Sequence, residues 1–567
     1  MKKAVIEFKD FGFQYRAQEK PTLKNINLTI YEGEKVLIAG PSGSGKSTLS
    51  NAINGLVPFK YEGTITGSLK INGKETKELS IAEISNMAGT VLQDPDGQFI
   101  GLTVGEDIAF KLENECIPLS EMRKKVKKAA EMVNVEEFLK FSPHRLSGGQ
   151  KQRVSLGGVI AAESEILLFD EPLASLDPAT GNMAIELIDK IKNDSKKTVI
   201  IIEHRLEEVL HGDVDRIIIV NNGEIVSDST PAELLSSDKL KENGIREPLY
   251  ITALKYAGCE VKKDMNPENI DKLDYKRCSE NLHKWFNSIN EPEVKEKTTP
   301  ILEVKNLSFK YNNKKEILRD VSFTINKGEM VSIVGRNGAG KSTISKLICG
   351  FYEPAEGSIF FDGKDMKNYS IKERAEKIGM VMQNPNQMIC KTMIYDEVAF
   401  GLRNRNYREE EIKERVLNTL KICGLYKYRN WPISALSFGQ KKRVTIASIL
   451  AMGSEVIILD EPTAGQDFAH YTEIMEFLKE LNAKGVTIIM ITHDMHLMLE
   501  YTDRAIVLSN GRKIKDDLTA QILTDEEVIK EANLRETSLY TLALKCGFKE
   551  PREFVRKFIS EDRSSRK

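Results

Sequence analysis

The chain has no run of roughly 18 apolar residues, the length a spanning helix needs, and its mean hydropathy is −0.33, so no membrane helix is expected. It has no excess of either charge. Lys+Arg number 82 and Asp+Glu 84, a formal net charge of −2, which argues against a protein that coats nucleic acid. It lacks the apolar core of a signal peptide: MKKAVIEFKD opens with two adjacent lysines but no apolar run of that length follows, and a cytosolic chain is the expectation. Its seven cysteines (Cys116, Cys259, Cys278, Cys349, Cys390, Cys423 and Cys546) contain no C-x-x-C pair and no zinc-type spacing, and the seven histidines are scattered. Free, mostly buried thiols are expected, and no structural metal site.

What is present is repetition. At 567 residues a length prior gives three or four domains, or two large ones. FGFQYRAQEKPTLKNINLTIYEGEKVLIAGPSGSGKST (11–48) matches LSFKYNNKKEILRDVSFTINKGEMVSIVGRNGAGKST (307–343). Lys46 pairs with Lys341, Gln93 with Gln383, Asp170 with Asp460 and His204 with His493, at a separation that drifts only as loop insertions allow. Even IREPLYITALKYAG (245–258) returns as LRETSLYTLALKCG (534–547). The repeat is too long for a solenoid unit. It reads as two whole domains, 1–260 and 301–567, the second with a C-terminal tail. They are joined by a charged linker, 261–300, with one helix near Leu282–Ile289. In each half β-rich runs come first, then strands alternate with helices. That pattern implies an α/β fold with a parallel sheet and a crevice at the strand ends.

GPSGSGKST (40–48) and GRNGAGKST (335–343) fit G-x-x-x-x-G-K-[ST], each after an apolar strand and before an apolar helical stretch. Residues Gly40, Pro41, Ser42, Gly43, Ser44, Gly45, Lys46, Ser47 and Thr48 form the first loop. Gly335, Arg336, Asn337, Gly338, Ala339, Gly340, Lys341, Ser342 and Thr343 form the second. Glycines let backbone N–H groups approach phosphates, and a helix N-terminus favours an anion. Lys46 and Lys341 should reach the β- and γ-phosphates, and Ser47 and Ser342 should ligate Mg²⁺. ILLFDE (166–171) and VIILDE (456–461) each deliver one carboxylate, Asp170 or Asp460, to the metal. The second carboxylate of each, Glu171 or Glu461, is placed to orient or deprotonate a water.

LSGGQKQR (146–153) and LSFGQKKR (436–443) lie just upstream of those strands. With them the sequence resembles the ATP-binding-cassette ATPases over almost its whole length, the linker and extreme C-terminus excepted. The family's order occurs twice: an aromatic residue (Tyr15; Tyr311), the phosphate loop, a glutamine (Gln93; Gln383), the signature, Asp-Glu, a turn (SLD, 175–177; GQD, 465–467) and a late histidine (His204; His493). The resemblance implies two P-loop cassettes, each with a mixed sheet core, an antiparallel β subdomain and a helical signature subdomain. It implies two ATP with Mg²⁺ held head to tail by the cassette pair, closing on ATP and reopening after hydrolysis. Tyr15 and Tyr311 would stack on adenine. Gln93 and Gln383 would contact Mg²⁺ and the attacking water. Ser147, Gly149 and Gln150, with Ser437, Gly439 and Gln440, would meet the γ-phosphate from the far side. His204 and His493 would hold that phosphate and orient the glutamates. Phe438 stands where the other signature has Gly148. Ser437 and Gly439 remain, so tolerance and two hydrolytic sites are expected.

QDPDGQFIGLTVGEDIAFKLEN (93–114) and, with Met388 in the second glutamine's slot, QNPNQMICKTMIYDEVAFGLRN (383–404) resemble the ATPases of energy-coupling-factor importers of vitamins and metal ions. The resemblance implies integral membrane partners, a transmembrane coupling protein and a separate substrate-binding subunit. It implies no nucleic acid and a peripheral place on the cytoplasmic face of the membrane. The rival readings are a tandem-cassette ATPase acting on ribosomes and a sugar-import ATPase. EPLASLD (171–177) and EPTAGQD (461–467), with a short proline-containing linker, do not look like the ribosomal class. The run MRKKVKKAAE (122–131) reads as an exposed helix face, and GFKEPREFVRKFISEDRSSRK (547–567) as a solvated tail or a membrane-surface contact.

Overall fold

The computed structural model describes residues 2–565 apart from 17, 93–96, 175, 291–298, 312–315 and 464–465. The chain divides into two units. One comprises residues 1–285 with a short stretch around Asp467; the other is Phe286–Ala464 with His470–Lys567.

In the first unit Leu23–Tyr31, Ala4–Tyr15, Gly63–Ile71 and Lys74–Glu75 form an antiparallel sheet in that order. A second sheet runs Glu224–Ser229, Arg216–Asn221, Lys35–Ala39, Thr198–Ile202, Ile166–Asp170, Ala88–Val91. It is parallel except at its Glu224–Ser229 edge. Its central strands read KVLIA, TVIII and ILLFD, the unbroken apolar runs of a sheet covered on both faces. Val36, Ile38, Leu168, Ile200 and Ile202 pack in one cluster with Phe8, Phe11, Phe13 and Leu49, which joins the two sheets to the helix Lys46–Ile53. By alternation Leu37, Leu167, Phe169 and Ile201, also buried, face the other side. The second unit repeats both sheets, with Ile378–Val381, Val456–Asp460, Thr487–Ile491, Met330–Val334, Arg504–Ser509 and Arg512–Leu518 in order. Each unit adds a helical part: Val104–Asn114, Leu119–Met132 and Gly148–Ala161 in the first, Ile394–Arg403, Glu409–Ile422 and Phe438–Ala451 in the second. The expected fold class, an α/β cassette written twice, is what is found.

The lysine run lies on Leu119–Met132, where Met122, Val126, Ala129 and Ala130 are buried and Lys124, Lys127 and Lys128 are exposed. All seven cysteines are free, and only Cys116 and Cys390 are exposed.

Two stretches differ from expectation. Residues 262–285, read as linker, carry buried Met265, Leu273, Cys278 and Leu282, and the Tyr250 hydroxyl donates to the Pro267 carbonyl at 2.7 Å. The expected linker helix is Ser279–Ser288. The C-terminal stretch is not a solvated tail. Pro551–Ser565 is a helix that buries Phe554, Val555, Phe558 and Ile559, and the Arg563 guanidinium donates to the Leu499 and Thr502 carbonyls and pairs with Asp503. Its apolar residues recur at helical spacing, so one face can be dry while the charges occupy the other.

Candidate active site

Each phosphate loop hangs between a buried strand and a helix whose N-cap is a left-handed glycine, Gly45 (φ 109°) or Gly340 (φ 101°). A Cβ on Gly45 would lie 2.8 Å from Leu23 Cδ2, whereas one on Gly43 would meet nothing within 4 Å. The first glycine is thus required by packing, and the second leaves space over the loop. The Lys46 ammonium is buried and donates to the carbonyls of Gly40 (2.7 Å) and Pro41 (2.8 Å). Lys341 does the same with Gly335 (2.6 Å) and Arg336 (3.1 Å). Burial lowers the Lys46 pKa to about 8, against the pull of Glu171 and Asp170. The Ser44 hydroxyl is buried in the first loop without a partner, a polar atom prepared for a ligand; the second loop has Ala339 there. Tyr15 and Tyr311 sit beside the loops, their hydroxyls 3.0 and 3.3 Å from Oγ1 of Thr48 and Thr343.

Asp170 and Asp460 end the strands Ile166–Asp170 and Val456–Asp460. Burial, with the charge of Glu171 beside it, pushes Asp170 up to about 6, and burial raises Asp460 likewise while a hydrogen bond from Ser342 pulls it back. A hydroxyl and a carboxylate, both hard oxygen donors, are what a Mg²⁺ held jointly with phosphate oxygens needs, so the residues fit that ion. Among the described residues no group of three His, Cys, Asp or Glu could hold a metal on its own.

Glu171 and Glu461 follow, both at φ 47°, a left-handed conformation that costs a glutamate on the order of 1–3 kcal/mol. Each is fixed there by its N–H, which donates to Ile202 O or Ile491 O at 2.9 Å. Their carboxylates meet the late histidines: His204 Nε2 lies 3.0 Å from Glu171 Oε1, and His493 Nδ1 2.7 Å from Glu461 Oε1. Lys46, Asp170, Glu171 and His204 are therefore electrostatic neighbours in the first unit, as the sequence implied. Gln383 is exposed two residues past its strand, and Gln93 lies outside the described residues.

The signature residues have a local task. Ser147 caps the helix Gly148–Ala161, accepting from Gln150 N–H, while Gln150 Oε1 accepts from Ser147 N–H at 2.9 Å; Ser437 and Gln440 form the same box. Gln150 and Gln440, expected to meet nucleotide, are thus engaged in their own caps. A Cβ on Gly149 would come within 2.6 Å of Thr180 Cγ2, while one on Gly439 would find 3.8 Å to His470. Phe438 leaves its cap intact, its ring partly exposed with the Lys442 ammonium 6.0 Å from its centroid.

Three features have no role in the sequence reading. Gln98 reaches the end of Ala88–Val91, accepting from Leu92 N–H (3.2 Å) and donating to Thr90 O (3.1 Å); in the second unit the Met388 thioether accepts from Met382 N–H (3.2 Å). Asp107 accepts from Ile100 and Gly101 N–H, and Glu397 from Cys390 and Lys391 N–H, so an acid in each following helix fixes the segment before it. Glu203, between Ile202 and His204, is a buried carboxylate that accepts three backbone N–H groups. The contrast of IIEHR with MITHD was the one available signal for Glu203.

A family model described as ABC transporter matches residues 23–174 and 318–464, and one described as ATP-binding cassette cobalt transporter matches 237–309. Three relatives carry the provisional description ABC transporter ATP-binding protein. CPE1583 of Clostridium perfringens is 66% identical over 100% of both chains. A protein of Enterococcus faecalis is 57% identical over 100% of both, and PBPRA2240 of Photobacterium profundum is 55% identical over 98% of this chain and 99% of its own. A solved structure described as cbiO1 from Clostridium perfringens, part of the ABC transporter complex cbiONQ, is 39% identical over 42% of this chain and 96% of its own, with a TM-score of 0.38. With two phosphate loops, two signatures, and relatives matched end to end, the chain belongs to the ABC transporter ATP-binding proteins and is an ATPase.

Proposed function

We propose that the chain is the energy-coupling ATPase of a membrane importer of the energy-coupling-factor type, moving a vitamin or a metal ion, and that it works as a peripheral component at the cytoplasmic face. The observation that carries this reading is the match of residues 237–309, which lie between the two stretches that match the ABC transporter model, to the ATP-binding cassette cobalt transporter model. It is supported by the segment after Gln93, where Asp107 holds the backbone so that Ile100 and Leu102 are 64% and 82% exposed. Side chains of that kind suit an apolar partner helix. No helix among the described residues is long and apolar enough to cross a membrane. In this reading the membrane path belongs to other polypeptides, a coupling protein and a substrate-binding subunit.

In the proposed cycle two ATP bind head to tail, each between one phosphate loop and the other cassette's signature helix. Lys46 and Lys341 leave their own loop carbonyls for the phosphates. Ser47 with Asp170, and Ser342 with Asp460, would hold Mg²⁺, which neutralises phosphate charge when bound. Tyr15 and Tyr311 stack on adenine. Glu171 and Glu461 take the proton of the attacking water, each steadied by its histidine, and Gln93 and Gln383 position that water. Ser147 and Gly149, with Ser437 and Gly439, meet the γ-phosphate, and its loss on hydrolysis lets the cassettes part.

Purification of the tagged full chain from detergent-solubilised membranes tests the transport reading. An integral membrane protein should accompany it in fixed ratio, and Leu102→Asp should abolish that recovery while ATP turnover of the free chain stays within about twofold. Recovery with ribosomal subunits and no integral membrane protein would overturn it.

A further inference from the structure

The two catalytic turns are held in different ways. In the first unit the Glu203 side chain is 3% exposed. Its Oε1 accepts from Leu173 N–H at 3.0 Å, and its Oε2 from His204 N–H at 2.6 Å and Arg205 N–H at 3.1 Å. Leu173 lies two residues past Glu171, and His204 supplies the ring that meets Glu171. One carboxylate therefore joins the two backbone segments whose side chains form the Glu171–His204 pair.

The second unit has Thr492 at this place. Its hydroxyl accepts from Asp494 N–H at 3.0 Å and donates toward Glu461 Oε2 at 3.4 Å. The segment at Glu461 is held by Lys442 instead, a fully buried ammonium that donates to the carbonyls of Glu461 (3.2 Å) and Pro462 (2.7 Å). In the first unit the neutral Gln152 amide occupies that position and donates to the Pro172 carbonyl. An anion clamps one turn through its N–H groups, and a cation clamps the other through its carbonyls.

We propose that Glu203 is a positioning residue for hydrolysis in the first cassette, fixing the backbone on both sides of the Glu171–His204 pair in a manner that the second cassette does not share. The proposal rests on the reading of Glu171 and His204 as the water-activating pair. A carboxylate is required because three N–H groups converge from two directions. A glutamine offers one acceptor oxygen, and its NH₂ cannot accept, so one arm of the clamp would be left unpaired in the interior. Loss of an arm shifts one partner of the pair relative to the other, and small misplacements of a reacting group are costly in rate.

The test is steady-state ATP turnover of the full chain, with the Glu171-dependent part defined as the difference between the wild-type chain and Glu171→Gln. Glu203→Gln should lower that part about tenfold or more, with KM for ATP unchanged within about twofold and the thermal melt still cooperative. The double variant Glu203→Thr with Gln152→Lys installs the second cassette's residues and should restore most of the loss. The proposal is overturned if Glu203→Gln keeps the Glu171-dependent turnover within about twofold of wild type, or if KM rises as much as kcat falls. A Glu171→Gln variant with unchanged turnover would instead remove the reading of the pair on which the proposal stands.

Discussion

At the scale of single residues Glu171 and Glu461, the glutamates proposed to act on water, share a backbone conformation, a hydrogen-bond anchor and a histidine partner, so both should be chemically competent. Glu171→Gln and Glu461→Gln should each lower ATP turnover, by as much as about 10²–10⁴-fold at its own site. If one variant left turnover unchanged while the other abolished it, the two-site reading would fail. The neighbouring charges set a pH window. Asp170, raised from 3.8 to about 6, becomes protonated as pH falls through 6, and Lys46, lowered from 10.5 to about 8, becomes neutral as pH rises through 8. ATP affinity measured with Mg²⁺ at the first site should therefore be greatest between these values, and omitting Mg²⁺ should remove the acid limb. The free chain behaves oppositely, because both groups are held charged against burial. The Asp170 penalty is absent below about pH 4 and complete above about 6; the Lys46 penalty is complete below about 8 and gone above about 10.5. What the sequence made legible at this scale is what geometry forces into fixed spacing: glycines around a phosphate, and an acid at the end of a buried strand. Glu203 was not legible, because its three N–H partners include Leu173, thirty residues away in the chain, and no spacing rule connects them.

Among the elements, the strand–loop–helix units were readable from periodicity, and the ends of the domains were not. The helix Pro551–Ser565 is masked in the sequence by its mixed charges, whereas the deciding property is the register of Phe554, Val555, Phe558 and Ile559. Phe554 also lies in an aromatic cluster, its ring 4.8 Å from Phe548 and 6.2 Å from Phe286, centroid to centroid. Phe554→Ala should cost about 3–5 kcal/mol, seen as a lowered denaturation midpoint, whereas the same change at Phe59, 50% exposed, should cost little. Residues 262–285 were misread for a related reason: few apolar positions, widely separated, close a packed structure there through Met265, Leu273 and Leu282 rather than through a periodic face.

For the whole molecule, the duplication predicts two nucleotides per chain. Titration of ATP into the Glu171→Gln/Glu461→Gln chain should saturate at two, and Lys46→Ala or Lys341→Ala should each reduce this to one; a single equivalent in the unsubstituted loops would contradict two complete sites. The duplication is also continuous, one polypeptide carrying both copies. In a symmetric pair of identical subunits every substitution appears at both sites at once, so a change that harms one harms the other. In a single chain each codon is read once, and each half accumulates its own history. Ser44 matched by Ala339, Gln98 by Met388 and Glu203 by Thr492 are marks of that freedom: the two halves repeat one scaffold and differ at positions close to their phosphate loops and strand ends.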